Sequence, residues 1–255
     1  MIDIHCHILP SVDDGAAHKA ESIQMIEQAI EEGITTIIAT PHHLNGPYIN
    51  EKQSIIKAVD QLNEEIKING LNMNILPGQE CRIYGDLVSD YHKGDILPLA
   101  DSNKYVFVEF PSNHVPRYAK QLFYDMQLAG LTPIIVHPER NSQITEKPDL
   151  LYDFVTSGVL TQITTSSLTG HFGKKIKRFT EDLIEHNLTH FLASDAHSLV
   201  KRPFRMREAL SELEKNFGTE VVYQFQENAN LVVSGLHVGM DPPERIQKKK
   251  FLGIF

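Results

Sequence analysis

The sequence predicts a single α/β domain folded as a (β/α)7 barrel, and three observations carry that reading. Short β-branched runs alternate with stretches of helical spacing, and seven such units follow one another. The residues that close those runs are repeatedly histidine, glutamate or aspartate. Strands alternating with helices pair in parallel through crossovers. Barrel enzymes collect their chemistry at the C-terminal ends of several strands, which is where these residues stand.

Taken in order, strands are expected at 2–8 (IDIHCHI), 34–40 (ITTIIAT), 73–80 (MNILPGQE), 104–110 (KYVFVEF), 132–138 (TPIIVHP), 159–165 (VLTQITT) and 189–195 (THFLASD). Between them, 19–32 carries Ile23, Ile26 and Ile30 at helical intervals, and 51–67 carries Ile55, Val59, Leu62 and Ile66 on one stripe. Weaker helical patterns fill 117–129, 148–157, 174–186 and 205–216. Gly33, Gly70 and Gly130 stand where helices should end. No Pro-, Gly- or Ser-rich linker and no internal repeat divides the chain, so residues 1–240 are expected to form one domain. Residues 241–255 are expected to be a tail, because Pro242-Pro243 stops regular structure and Lys248–Lys250 precede an apolar end.

Composition narrows the class. The chain has 255 residues, 41% hydrophobic and 22% charged, which is ordinary globular usage. A formal charge of −9 argues against nucleic acid as a partner, since such binding normally shows as a basic patch. No long apolar run spans a membrane, and the first residues, MIDIHCHILP, do not form a signal peptide. The two cysteines, Cys6 and Cys81, make no disulfide framework, which points to the cytoplasm.

His5 and His7 lie two apart in a strand and so share a face, with Cys6 on the other. At the ends of later strands come His42, Glu80, Glu109, His137, and then Asp195 with His197. A lone strand-end histidine is an ordinary structural residue. Six of seven strands delivering a ligand type to one place, together with an H-x-H pair, point to a metal site. Imidazole and carboxylate without thiolate suit Mn, Fe(II) or catalytic Zn rather than a structural zinc. Asp13 and Asp14 follow the first strand on a loop ending at Gly15, and spacing alone leaves open which of them is a ligand.

The H-x-H start, the glutamate after the third strand and the D-x-H near the end resemble the polymerase and histidinol phosphatase (PHP) superfamily. More closely, HCHILPSVDDG, TPHH, PGQE, VFVEFP, VHPER and SDAHSLVKRP resemble the bacterial manganese-dependent tyrosine-protein phosphatases encoded beside capsule and exopolysaccharide tyrosine kinases. The resemblance covers residues 1–240 and leaves the tail outside. It implies a distorted (β/α)7 barrel of PHP type holding three divalent ions, most naturally Mn, with Fe or Zn as alternatives. One ion would take His5, His7, Glu80 and Asp195; a second would share Glu80 and add Glu109 and His137; a third would take Asp14, His42 and His197. Three divalent ions against four carboxylates leave a formal surplus of positive charge that suits a phosphate dianion. Bound metal lowers the pKa of water towards about 7, which makes hydroxide available at neutral pH. Arg140, after His137-Pro138-Glu139, and Arg202 are the implied phosphate clamps, because guanidinium offers a planar fork of donors. The implied substrate is a phosphotyrosine protein, with a bacterial tyrosine kinase as partner.

Other mechanisms fit less well. A cysteine-dependent phosphatase needs an arginine six residues after its nucleophile, where this chain has Val12 and Leu87. No G-x-x-x-x-G-K-[ST] loop is present. The rivals that survive are a small-molecule phosphomonoesterase such as a histidinol phosphatase, and a non-catalytic phosphotyrosine-binding regulator. Tyr84, Phe110 and Tyr118 are read chiefly as packing residues, and His43 and His114 as bystanders near the mouth.

Overall fold

The computed structural model describes residues 1–239 and 241–247. Its strands are β1 (Ile2–Cys6), β2 (Thr36–Ala39), β3 (His42–His43), β4 (Asn74–Pro77), β5 (Glu80–Arg82), β6 (Tyr105–Glu109), β7 (Thr132–Val136), β8 (Leu160–Thr164) and β9 (Phe191–Ala193). Its helices are α1 (Lys19–Glu31), α2 (Lys52–Ile68), α3 (Leu87–Lys93), α4 (Ala119–Leu128), α5 (Ser142–Glu146), α6 (Asp149–Thr156), α7 (Thr165–Leu168), α8 (Lys174–Glu185), α9 (Met206–Phe217) and α10 (Thr219–Val233). Every strand pairing is parallel, in a sheet β1-β2-β4 and a sheet β3-β5-β6-β7-β8-β9.

The seven expected strand positions are all occupied, but 34–40 and 73–80 do not run as single strands. Each run, extended a few residues, divides between the two sheets, as β2 then β3 and as β4 then β5. Pro41 has no N–H to extend the first ladder. At Gly78 a Cβ would meet Ile38 Cγ2 at 2.6 Å, so only glycine lets the chains cross so closely. Glu80 N–H donates to Pro41 O at 3.0 Å and starts the second sheet just beyond both breaks. The ends of the array meet where Asp195 N–H donates to His5 O and His7 N–H to Ala196 O, both at 2.9 Å.

Alternating strand residues divide the core in two. Tyr105, Phe107, Ile134, Val136, Phe191 and Ala193 face an interior cluster with Ile4 and Ile38. Val106, Val108, Ile135, Ile163 and Leu192 face outward, where the helices cover them. On α2 the expected stripe Ile55, Val59, Leu62 and Ile66 is buried, each side chain contributing about 1.5–3 kcal/mol. On α1 the buried face is Ser22, Met25, Ile26 and Ala29, with Ile23 and Ile30 at its margins. His18 caps that helix, its Nδ1 accepting from Glu21 N–H at 3.1 Å.

α10 lies beyond the expected helices. Its buried face, Phe225, Asn228, Ala229 and Val232, is interrupted by an amide that blurs the apolar pattern. Asn228 Nδ2 donates to His190 O, just before β9, and Val238 N–H donates to the Tyr105 hydroxyl at the start of β6. The segment therefore seals the N-terminal end of the strands, leaving the opposite end open. Of the tail, residues 241–247 lie against the body: Arg245 pairs with Asp149 at 2.6 Å and covers the Tyr152 ring, and Glu244 N–H donates to His186 O. Lys248–Phe255 fall outside the described residues. Among the described residues no helix is long and apolar enough to cross a membrane.

Candidate metal centre

β1 departs from strict alternation. Ile2 and Ile4 pack on the interior cluster, which by a period of two would turn His5 outward. The register shifts between Asp3 and Cys6, and a bulge of this kind reverses the facing of the residues beyond it. His5 consequently lies over Phe107, ring centroids 4.9 Å apart, and both His5 and His7 face the interior. Cys6 sits in the outer core, fully buried, with its Sγ 3.6 Å from Ala196 O.

Both imidazoles are fixed from behind. His5 Nδ1–H donates to Gln162 Oε1 at 2.8 Å, and Gln162 Nε2 in turn donates to Ile163 O, which sets the amide's orientation. His7 Nδ1–H donates to Asp13 Oδ2 at 2.6 Å. Each ring thereby directs a lone pair on Nε2 forward. The two Nε2 atoms are 3.3 Å apart and lie 3.2–3.5 Å from Glu80 Oε2 and Asp195 Oδ1.

The Asp13-Asp14 loop separates the roles that spacing left open. Asp13 turns inward, also accepting from Gly15 N–H at 2.9 Å and His42 N–H at 3.1 Å. Asp14 is half exposed, with Oδ1 3.4 Å from both His42 Nε2 and His197 Nε2. Gly15 permits the turn: a Cβ there would stand 2.1 Å from His7 O.

Glu80 occupies the middle. Its Oε1 is 2.9 Å from His137 Nε2, and its Oε2 is 2.8 Å from His42 Nδ1. Glu109 Oε2 lies 3.7 Å from the same His42 nitrogen, accepts from Asn45 Nδ2 at 2.9 Å and forms an ion pair with Arg82 at 3.2 Å. His137 and Asp195 both adopt left-handed backbone, φ 37° and 53°. Such strain in non-glycine residues costs about 1–3 kcal/mol and clusters at functional sites. After His137 a single turn, Pro138–Arg140, is anchored by buried Glu139, whose Oε1 accepts from Thr164 N–H. That turn aims Arg140 at Asp195 Oδ2, 2.6 Å away; Arg202 reaches the same oxygen at 2.6 Å. Both guanidiniums line a cavity of about 350 Å³ with Asp14, His42, Glu109 and His137.

Three overlapping groups of ligand atoms result: His5, His7 and Glu80; His42, Glu80 and Glu109; and His7, Asp14, His42 and His197. They differ from the implied sets in that Asp195 and His137 fall in none of them, Glu109 is grouped with His42, and His7 joins the Asp14 group. For the last two the reason is His42, whose Nδ1 faces the two glutamates and whose Nε2 faces Asp14.

The electrostatics suit cations. Glu80 Oε2, Asp195 Oδ1 and His197 Nε2 are buried without a hydrogen-bond partner, an expensive state for such atoms. Burial opposes charge on Asp195, but Arg202, Arg140 and His5 hold its carboxyl well below the usual range. Burial opposes charge on Glu80 too, and His42 and His5 more than compensate. On His7, burial is outweighed by Asp13, so its pKa rises well above the ordinary imidazole value. Glu109 is pushed up to about 7 by burial and by Glu80. Burial and Arg140 hold His137 down to about 3, and burial and His7 hold His197 down to about 4, so both are neutral donors of lone pairs. Two ionised carboxylates converging on imidazole lone pairs fit divalent metal.

Several contributors escaped the sequence reading. Gln162 comes from the one strand that seemed to bring nothing, and Asn45 and Arg82 brace Glu109. Their only trace in the sequence is adjacency to a ligand or a place on a site-forming strand. Tyr84 and Tyr118 bond to Asp90 and to Ile83 O, while Phe110 both packs on Phe123 and lines the cavity. His43 is buried, and His114 lies exposed beside Asn113.

Comparison with known proteins agrees with this picture. The family described as "Capsular polysaccharide synthesis, CpsB/CapC" matches residues 1–234. The tyrosine-protein phosphatase YwqE of Bacillus subtilis (strain 168) is 51% identical over 255 residues, covering all of both chains. A crystal structure described as that of YwqE from Bacillus subtilis and CpsB from Streptococcus pneumoniae, "unique metal-dependent tyrosine phosphatases", superposes with a TM-score of 0.95 at 51% identity, covering 97% of this chain and 100% of that one. Histidinol phosphate phosphatase from Lactococcus lactis, complexed with zinc, L-histidinol and phosphate, shares the fold: TM-score 0.51, 16% identity, 92% of this chain and 94% of that one.

Proposed function

The chain belongs to the CpsB/CapC family of capsular polysaccharide synthesis, and from that premise we propose that it is a metal-dependent protein-tyrosine phosphatase. One observation of this chain carries the reading: the lone pairs of His5, His7, Glu80 and Asp195 converge beside a cavity lined by Arg140 and Arg202. The metal inventory is three divalent ions, Mn in the first place, held by His5, His7, Asp14, His42, Glu80, Glu109, His137, Asp195 and His197. When bound, such ions activate water near neutral pH and offset the charge of a phosphoryl group.

The chain's own residues do the rest. Asp13 and Gln162 hold His7 and His5 in the tautomer that leaves Nε2 free. Arg140 and Arg202 each donate to Asp195 Oδ2 and keep further N–H groups for phosphoryl oxygens, where charge-assisted bonds orient the ester. Phe110, Val136 and Pro138 supply the apolar side of the cavity, suited to a phenyl ring. The substrate is a phosphotyrosine protein, with a bacterial tyrosine kinase of exopolysaccharide or capsule regulation as partner, and the site of action is the cytoplasm.

The test is activity after chelation and after return of Mn²⁺, Fe²⁺ or Zn²⁺, with elemental analysis of the reloaded protein. A phosphotyrosine peptide should be hydrolysed with much higher kcat/KM than histidinol phosphate. Preference for histidinol phosphate would overturn the protein-phosphatase reading, and a fully metallated but inactive protein would mark a binding regulator.

A further inference from the structure

A second depression, about 480 Å³, adjoins the phosphate cavity, and Asp14 and Arg202 line both. One side of it is Gly15 and Ala17 of the loop after β1; the other is the loop between β9 and α9. That second loop is closed at its base. Arg202 O accepts from His197 N–H at 2.9 Å and Ser198 N–H at 3.3 Å, and Arg202 N–H donates to Ser198 Oγ at 3.2 Å. Its tip projects Leu199, Val200 and Lys201. Leu199 is half-buried, while Val200 is 83% exposed. Lys201 is exposed and has no ion-pair partner among the described residues. The lining carries both signs, but Asp14 faces His42 and His197, Glu21 accepts from Ala17 N–H at 2.9 Å and Arg202 is paired with Asp195, which leaves Lys201 at the tip as the charge without a partner among the described residues.

We propose that this groove binds the polypeptide flanking a phosphotyrosine, seating an apolar side chain against Leu199 and Val200 and an acidic side chain against Lys201. The inference rests on the phosphatase reading above and deepens it. A small phosphomonoester fills the cavity alone. A chain whose tyrosine enters that cavity must leave past its rim, and the shared wall of Asp14 and Arg202 opens into the groove. An extended segment with an apolar and an acidic side chain next to the tyrosine matches the loop tip, where Val200 is exposed and Lys201 is unpaired among the described residues.

The experiment uses the full chain reloaded with Mn²⁺ and three substrates: p-nitrophenyl phosphate, a phosphotyrosine peptide flanked by Leu and Glu, and one flanked by Gly and Ser. The parent should prefer the Leu/Glu peptide about tenfold in kcat/KM, which corresponds to about 1.4 kcal/mol. Val200→Ser and Lys201→Glu should each remove most of that preference by raising KM, with p-nitrophenyl phosphate kinetics unchanged because the loop base is pinned. Ile49→Ser, at an exposed aliphatic position in the loop after β3 whose Tyr48 stacks on His42, should keep the preference. Equal kcat/KM for the two peptides in the parent overturns the groove while leaving the phosphatase reading intact. So does loss of preference in Ile49→Ser but not in Val200→Ser. Hydrolysis of none of the three substrates overturns both.

Discussion

Asp13→Asn isolates what holds the centre together, because it keeps the side chain's shape and changes one atom's hydrogen-bonding sense. In the parent, Asp13 Oδ2 accepts from His7 Nδ1–H at 2.6 Å and His42 N–H at 3.1 Å, and Oδ1 accepts from Gly15 N–H at 2.9 Å. Asparagine has only one oxygen to offer. With that oxygen towards His7, its amide group faces Gly15 N–H, donor against donor. With it towards Gly15, His42 N–H loses its acceptor, and His7 must carry its proton on Nε2, the atom 3.2 Å from Glu80. Either pose leaves a part-buried donor without a partner, at up to about 1–3 kcal/mol. For a chain of this length that lowers Tm by about 2–4 °C per kcal/mol. Loss of a carboxylate behind a metal-binding histidine weakens metal binding by about 10–100-fold. The assay is competition against a chromophoric chelator, with thermal melts of the metal-free protein. The dependence on pH has a definite sign. His7 in the parent has a raised pKa, so protons compete with metal there, and affinity falls as pH falls through that raised value. Asp13→Asn removes the main cause of the elevation, so its deficit should be widest at alkaline pH and narrow on acidification. Metal affinity within twofold of the parent, with an unchanged melt, would refute the role assigned to Asp13.

The remaining predictions concern the other parts of the site. Cys6→Ser should keep its metal and its activity, since Cys6 lies in the outer core, and elemental analysis with a phosphatase assay checks this. Glu80→Ala should lose more metal than His42→Ala, because Glu80 faces His5, His7, His42 and His137 at once; equal losses by elemental analysis would count against a bridging role. Arg140→Ala and Arg202→Ala should each retain metal and lose about tenfold to a hundredfold in kcat/KM, the worth of one charge-assisted hydrogen bond. The double variant should lose metal as well, because Asp195 Oδ2 then has neither guanidinium.

From sequence alone, the fold class and the residue types that gather at the mouth were legible, because both are written locally. Period-two and period-3.6 patterns mark strands and helices, and a residue at a strand's C-terminal end must arrive at the barrel mouth whatever the details. That is why His42, Glu80, Glu109, His137 and Asp195 could be named before their distances were known, and why the motif HCHILPSVDDG identified the kind of site. What remained for the tertiary structure was everything set by relations between distant segments. The bulge in β1, which turns His5 and His7 inward, depends on the register against β2. The crossing at Gly78 depends on Ile38, and α10's place depends on the interior cluster it seals. The pairing of His5 with Gln162 spans 157 residues, and Asp195 meets Arg140 across 55. Spacing put Asp13 and Asp14 on equal terms; burial separated them, one behind His7 and the other facing His42 and His197. Local sequence determined which donors reach the mouth. Long-range packing alone decided which way each lone pair points, since a hydrogen bond on one imidazole nitrogen assigns the other.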